Sequence, residues 1–158
     1  MLKLKEITRE NLSKKYSAII YKWRFVDYID SFKSKIIPSF EEHTTFLEKE
    51  IESASVSWFM MISGEEIVGV MSVIEDQYNG KESSYTFGRL MVAPNRRRQN
   101  LGRTLLEKGI EYIKKCKNGK RVELEVLNTN YKAINLYHKF GFSVIKEEEN
   151  VLFMEKFL

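Results

Sequence analysis

Residues 92–106, VAPNRRRQNLGRTLL, place Arg96, Arg97 and Arg98 in a row just before an apolar-periodic stretch that reads as a helix. Like charges repel, and cations oppose the positive end of a helix dipole, so the arrangement asks for a negative partner. A strand, a short loop and a helix start form an anion-binding geometry, because the first helical N–H groups lack intrahelical partners and point outward. Pro94 fixes the loop, residues 97–103 supply N–H groups, and Gly102 removes a side chain where a phosphate has to approach the backbone. No Gly-Lys-Ser/Thr follows, so this is not a Walker loop; with a single glycine it is not a dinucleotide fingerprint either. On spacing alone, phosphate binding and a solvated basic turn stand as equal alternatives.

A second group lies about thirty residues on, in LEVLNTNYKAINLYHKFGF (124–142). On a helix from Asn130, positions Ala133, Ile134, Tyr137 and Phe140 share one face. By themselves Tyr137 and Phe140 read as core aromatics. Nothing has metal-ligand spacing: His43 and His138 are far apart, and Cys116 is the only cysteine.

The elements that must position these groups can be read from periodicity. LKLKEI (2–7) alternates as a half-buried strand, and Thr8 is expected to cap a helix running to about Tyr28. Pro38 breaks the chain, and Ser39 with Glu42 forms a capping-box pattern for a second helix bearing Phe40, Phe46, Leu47 and Ile51. VSWFMMI and EEIVGVMSVIE, split by Ser63-Gly64, read as a hairpin, and residues 83–92 as a further strand after an Asn79-Gly80 turn. Leu101, Leu105, Leu106, Gly109, Ile110 and Ile113 keep helical spacing to about Lys117, where Asn118-Gly119 stops it. RVELEVL (121–127) is a strand, residues 130–140 a helix ended by Gly141, and FSVIKEE and VLFMEKF two closing strands. The order β-α-α-β-β-β-α-β-α-β-β predicts an α/β chain with a mixed sheet, because a doubly wound parallel sheet would alternate strictly.

The 158 residues suffice for one domain with a sizeable core, and no repeat or linker divides them. A net charge of +4, from 26 basic and 22 acidic residues, falls short of a nucleic-acid footprint outside the arginine run. No apolar run approaches the length of a membrane span, MLKLKEITRE lacks a signal-peptide pattern, and the single cysteine suits a reducing compartment. The expectation is a soluble cytoplasmic protein, monomer or homodimer, without nucleic-acid or membrane partners.

Taken together, the two segments strongly resemble the GNAT superfamily of acyl-CoA-dependent N-acetyltransferases. Val92, Pro94, Arg97 and Gly102 fit its strand, V-x-P, [R/Q]-x-x-G-x-[G/A], helix pattern. Asn130, Ala133, Leu136, Tyr137, Gly141 and Phe142 fit its later N-x-x-A-x-x-[L]-Y-x-x-x-G-F. The one departure is Asn100, where the family has its first glycine; Asn is the side chain most tolerant of a left-handed backbone. The resemblance covers almost the whole chain.

The resemblance implies acetyl-CoA as donor and no metal. Its pyrophosphate would lie on the amides of Arg98, Gln99, Asn100, Leu101, Gly102 and Arg103, beside Arg97. The pantetheine arm would pair like an extra strand with Leu90, Met91 and Val92, and Asn130 and Ala133 would complete the donor site. Tyr137 would stabilise or protonate the departing thiolate; a phenol of pKa about 10 always has its proton at neutral pH. Many relatives carry a glutamate on the strand before the loop, but that position is Thr86 here, which leaves Glu123 and Glu125 as candidate bases. A lysine-type amine of pKa about 10.4 is neutral in about one molecule per few thousand at pH 7, against roughly a tenth for an amine of pKa near 8. A missing strong base therefore favours a weakly basic acceptor.

YKWRF (21–25) and FEEHTTFLEKEI (40–51) are similar to the acceptor side of acetyltransferases that act on nucleotide-linked 4-amino sugars. That likeness implies Trp23 stacking on a base or sugar, Arg24 pairing a phosphate and His43 assisting proton transfer. The implied function is transfer of acetyl to a small-molecule amine in a ternary complex. Protein N-termini, polyamines or aminoglycosides are the alternative acceptors, and a non-catalytic acyl-CoA sensor is the rival class.

Overall fold

Ser39 accepts a hydrogen bond from the Glu42 N–H (3.1 Å), and the Glu42 carboxylate accepts one from the Ser39 N–H (2.7 Å). That reciprocal cap starts the second helix where the sequence places it. The structure is a computed structural model and describes residues 1–31, 36–76 and 83–158. In chain order it has β1 (Leu2–Ile7), α1 (Lys14–Lys22), α2 (Phe40–Glu52), β2 (Val56–Ser63), β3 (Glu66–Glu75) and β4 (Ser84–Val92). Then follow α3 (Leu101–Cys116), β5 (Arg121–Leu127), α4 (Tyr131–Lys139), β6 (Ser143–Glu148) and β7 (Val151–Phe157). The expected Asn79-Gly80 turn lies outside the described residues.

The first helix corrects the sequence reading at both ends. Thr8 does not cap it: Asn11 accepts from the Thr8 N–H (3.0 Å) and donates to the Glu6 carbonyl (2.9 Å), closing a separate turn. Asn competes for backbone groups in this way, and Ser13 takes over as the cap, accepting from the Tyr16 N–H (3.2 Å). At the far end the helix widens into a π-turn over Trp23–Asp27, closed by Tyr28 N–H to the Trp23 carbonyl (3.0 Å).

The seven strands form one sheet in the order β1-β2-β3-β4-β5-β7-β6. Every neighbouring pair is antiparallel except β4 and β5. Each face carries its own core, as the alternating strand residues require. On one side Met71, Val73, Tyr85, Phe87, Val122 and Leu124 pack with Leu105, Leu106 and Ile113 of α3 and Tyr137 of α4. On the other, Trp58, Met60, Val70 and Met91 pack with Ile20 of α1, Trp23 and Leu47 of α2.

Two features of β4 place the site. Its parallel pairing with β5 covers Ser84↔Arg121 to Phe87↔Leu124 and stops there, so Gly88–Val92 and Glu125–Leu127 part. Against β3 the register shifts, with Ser72 opposite Gly88 but Val70 opposite Met91. The additional residue is absorbed at Arg89, whose φ is +50°. A Cβ at Gly88 would lie 2.7 Å from the Ser72 hydroxyl, so only glycine fits beside that bulge.

Gly119, between α3 and β5, is a comparable constraint. A Cβ there would lie 2.3 Å from Cγ2 of Ile113 and 2.9 Å from the Tyr85 ring, both in the core. Gly119→Ala is therefore expected to lower unfolding free energy by about 1–3 kcal/mol through overpacking, read from urea denaturation at pH 7.

Candidate active site

The donor loop runs from the end of β4 into α3. Its backbone turns left-handed at two non-glycine residues, Arg98 (φ +65°) and Asn100 (φ +57°, ψ +16°). Asn100 thus takes up the conformation that lets it stand for glycine. The second left-handed residue was not expected from the sequence, because arginine gives no signal for it. The first intrahelical bond runs from the Thr104 N–H to the Asn100 carbonyl (3.0 Å), so the amides of Leu101, Gly102 and Arg103 precede the ladder. No side chain caps them, and they face outward at the positive end of a 16-residue helix.

Packing does not require glycine at 102: a Cβ there would meet only Leu136 Cδ2 at 3.7 Å and Val92 Cγ2 at 3.8 Å, ordinary contacts. The open surface over it is available to a ligand. These contacts also show how the two sequence motifs meet, since β4, the start of α3 and α4 converge there. The Arg103 guanidinium lies 5.7 Å over the Phe140 ring, a second link between the helices.

The backbone where β4 and β5 part is accessible to a partner. Ala93 N–H bonds to the Val68 carbonyl (2.9 Å), which makes Gly69↔Val92 a non-hydrogen-bonded pair with β3. The N–H and C=O of Val92 therefore point away from β3, toward the gap. Uncapped amides, open space at Gly102 and the outward-turned N–H of Val92, whose carbonyl accepts from the Tyr28 hydroxyl, fit an elongated ligand with a phosphorylated end. This is the switch point between parallel strands where open α/β sheets bind ligands.

Tyr137 is 8% exposed, its ring 6.0 Å from that of Phe142. Burial pushes its pKa up to about 12, so the phenol stays protonated at any physiological pH. Asn130 caps α4, accepting from the Ala133 N–H (3.4 Å), and so orients the helix that carries Tyr137.

Several expected roles are redistributed. Arg96 is not a solvent-facing or phosphate-facing residue: it forms an ion pair with Glu66, and its Nε donates to Gln99 (2.9 Å), which occupies the Gln99 carbonyl oxygen. Glu123 is bound by Arg121, which also donates to Glu155 (2.7 Å) and Ser84 (3.0 Å). That buried ion cluster sits at the end of β4 and β5 remote from the loop. Glu125 lies one residue beyond the last β4–β5 pair, exposed, at the parting. Thr86 pairs with Glu123, on the paired part of the strand.

On the acceptor side, Trp23 is 6% exposed and belongs to the core. His43 is 1% exposed, between the rings of Tyr21 (5.4 Å) and Phe25 (5.8 Å). Neither presents a surface to an acceptor. Arg24 lies over Phe25 (4.9 Å) and Phe46 (5.5 Å), and burial followed by the nearby Arg89 charge lowers its pKa to about 10.

The sequence reading missed Arg89 and Tyr28. Arg89 pairs with Glu50 (2.8 Å), donates to Ser72 (3.3 Å) and lies over Trp58 (5.3 Å) and Phe46 (5.5 Å). Gly88 beside it, an isolated glycine within a strand, was the available sign of a bulge.

The fold and loop define an acyl-CoA-binding transferase, and the chain belongs to the acetyltransferase (GNAT) family, whose model matches residues 18–142. It is an acetyl-CoA-dependent N-acetyltransferase. Among its relatives, acetyltransferase PseH of Campylobacter jejuni subsp. jejuni serotype O:23/36 (strain 81-176) is 29% identical over 150 residues, 95% of this chain and 90% of that one. A crystal structure of Campylobacter jejuni N-acetyltransferase PseH in complex with acetyl coenzyme A has a TM-score of 0.75 at 27% identity, covering 99% of both chains. Spermidine N-acetyltransferase from Vibrio cholerae, solved with CoA and spermine, shares the fold with a TM-score of 0.83 at 21% identity, covering 99% of this chain and 95% of that one. Among the described residues, no helix is long and apolar enough to cross a membrane.

His43 gives the site a pH signature. Burial, then the charge of Arg24, lowers its pKa from 6.5 to about 4; the Ser17 backbone pulls weakly the other way without closing a hydrogen bond to the ring. Between those values the unfolded chain binds more protons than the folded one, so stability is lost as pH falls through the window. Between pH 7 and pH 4, the native chain is expected to lose on the order of 1–3 kcal/mol more than His43→Gln, measured by urea unfolding at each pH.

Proposed function

We propose that this acetyltransferase acetylates the primary amine of a small anionic acceptor, a nucleotide-linked amino sugar, by direct transfer in a ternary complex. The observation that carries the reading is the convergence of Arg24 and Arg89 on the Phe46 ring, each 5.5 Å from it, on the α1–α2 face of β4. Burial, and after it the Arg89 charge, lower the pKa of Arg24 to about 10 while Glu50 raises it, and a phosphate placed between the two guanidinium groups adds a second negative partner. The same charges repel a polyamine. The likeness of residues 21–25 and 40–51 to amino-sugar acetyltransferases supports the same acceptor class.

Acetyl-CoA supplies the acetyl group already activated as a thioester. The amides of Leu101, Gly102 and Arg103, with Arg97 and Arg98 beside them, hold the diphosphate, and the outward N–H of Val92 aligns the arm. Holding donor and amine together removes most of the entropic barrier, so no covalent enzyme intermediate is needed. Tyr137 keeps its proton at Oη and gives it, or a hydrogen bond, to the leaving sulfur. Glu125, at the parting of β4 and β5, takes the amine proton through water. A weakly basic amine needs no stronger base.

Tyr137→Phe is expected to lower kcat by about 10²-fold, the usual contribution of a general acid, with CoA affinity unchanged by calorimetry. An acyl-CoA sensor would have no turnover to lose. In a steady-state screen with acetyl-CoA, nucleotide-linked amino sugars are expected to give the highest kcat/KM. A preference for spermidine would refute the acceptor assignment, and a preference for peptide N-termini would move it to the protein class.

A further inference from the structure

We propose that Tyr28 is a positioning residue that couples the donor loop to the acceptor-side segment, residues 23–31. The inference rests on the reading of Val92 and residues 97–103 as the donor site. Tyr28 directly follows the π-turn Trp23–Asp27, yet its side chain reaches the end of β4, where its hydroxyl donates to the Val92 carbonyl. That carbonyl is turned into the gap between β4 and β5. From the donor loop, Arg97 Nε donates to the same hydroxyl (3.3 Å), and its guanidinium lies 4.7 Å over the tyrosine ring. Arginine only donates, so the phenol proton is committed to Val92 and the chain runs Arg97 to Tyr28 to the β4 backbone.

The segment is held firmly at its start, where Trp23 is in the core and Phe25 packs against Tyr21 (5.2 Å) and His43 (5.8 Å), and Tyr28 itself rests against the same core. Trp23 is the buried anchor at one end, while Val26 (59%) and Ile29 (38%) are exposed. Two exposed apolar side chains beside a π-turn make the part after Phe25 easier to open than the core beneath it. A ligand that fixes Arg97 removes freedom from Tyr28, and through it from the wall on which an acceptor rests. Linkage makes the effect reciprocal, so an ordered segment strengthens donor binding. Donor binding thereby prepares the acceptor side.

The test uses the full chain and coenzyme A, with no acceptor required. Calorimetry measures CoA affinity, and hydrogen exchange of residues 23–31 is followed with and without CoA. In the native protein CoA is expected to slow exchange in that segment. Tyr28→Phe keeps the ring beneath Arg97 and loses only the hydroxyl. In that variant the protection should disappear and CoA should bind about two- to tenfold more weakly, the equilibrium weight of one hydrogen bond. Equal protection in Tyr28→Phe and the native chain, or CoA binding that leaves the native segment unprotected, would overturn the coupling while leaving the donor site standing. Failure of CoA to bind the native chain would overturn the donor-site reading and the coupling with it.

Discussion

The site depends on a place where two strands stop pairing. β4 and β5 are parallel neighbours for four residue pairs and then separate. Backbone polar groups cannot be left without partners away from water, so a parted pair of strands inside a sheet must face solvent or a ligand. The bulge at Arg89 and the outward turn of Val92 both fall in the separated stretch of β4. Helix α3 leaves the end of β4 and α4 leaves the end of β5, which brings the uncapped amides and Tyr137 to the same opening.

Charge is then distributed around the opening unevenly. Arg96 is bound to Glu66, Arg89 to Glu50, and Arg121 to Glu123 and Glu155. These arginines hold structure: a loop, a bulge, and the far end of the central strands. Arg97 and Arg98 are exposed beside the N-terminus of α3. The run of three like charges is therefore divided. Arg96 is bound to Glu66, Arg97 lies over Tyr28, and Arg98 is exposed.

The two faces of the sheet divide the chemistry as well. The α3–α4 face holds the phenol in an apolar setting that keeps its proton in place. The α1–α2 face holds two guanidinium groups against aromatic rings and a buried, neutral histidine. The phenol lies on one side and the two guanidinium groups on the other, and β4 runs between them.

The order of strands and helices was legible in the sequence because periodicity and local stop signals such as Ser39 with Glu42, Asn118-Gly119 and Gly141 act over a few residues. The donor loop and the Asn130–Phe142 motif were legible for the same reason: each is a contiguous stretch whose backbone conformation its own residues dictate. The start of α1 was misread because Thr8 and Ser13 are equally good caps in isolation; the Asn11 side chain, bonding back to Glu6, decided between them. Only the tertiary structure separated the surroundings of chemically equal residues. It paired Glu123 with Arg121 and set Glu125 one residue beyond the last β4–β5 pair, and it enclosed Trp23 and His43 in the core. It also brought Tyr28 to Val92 across 64 positions of sequence. Pairings of that kind are set by which faces of the sheet the helices cover, and no local pattern carries that information.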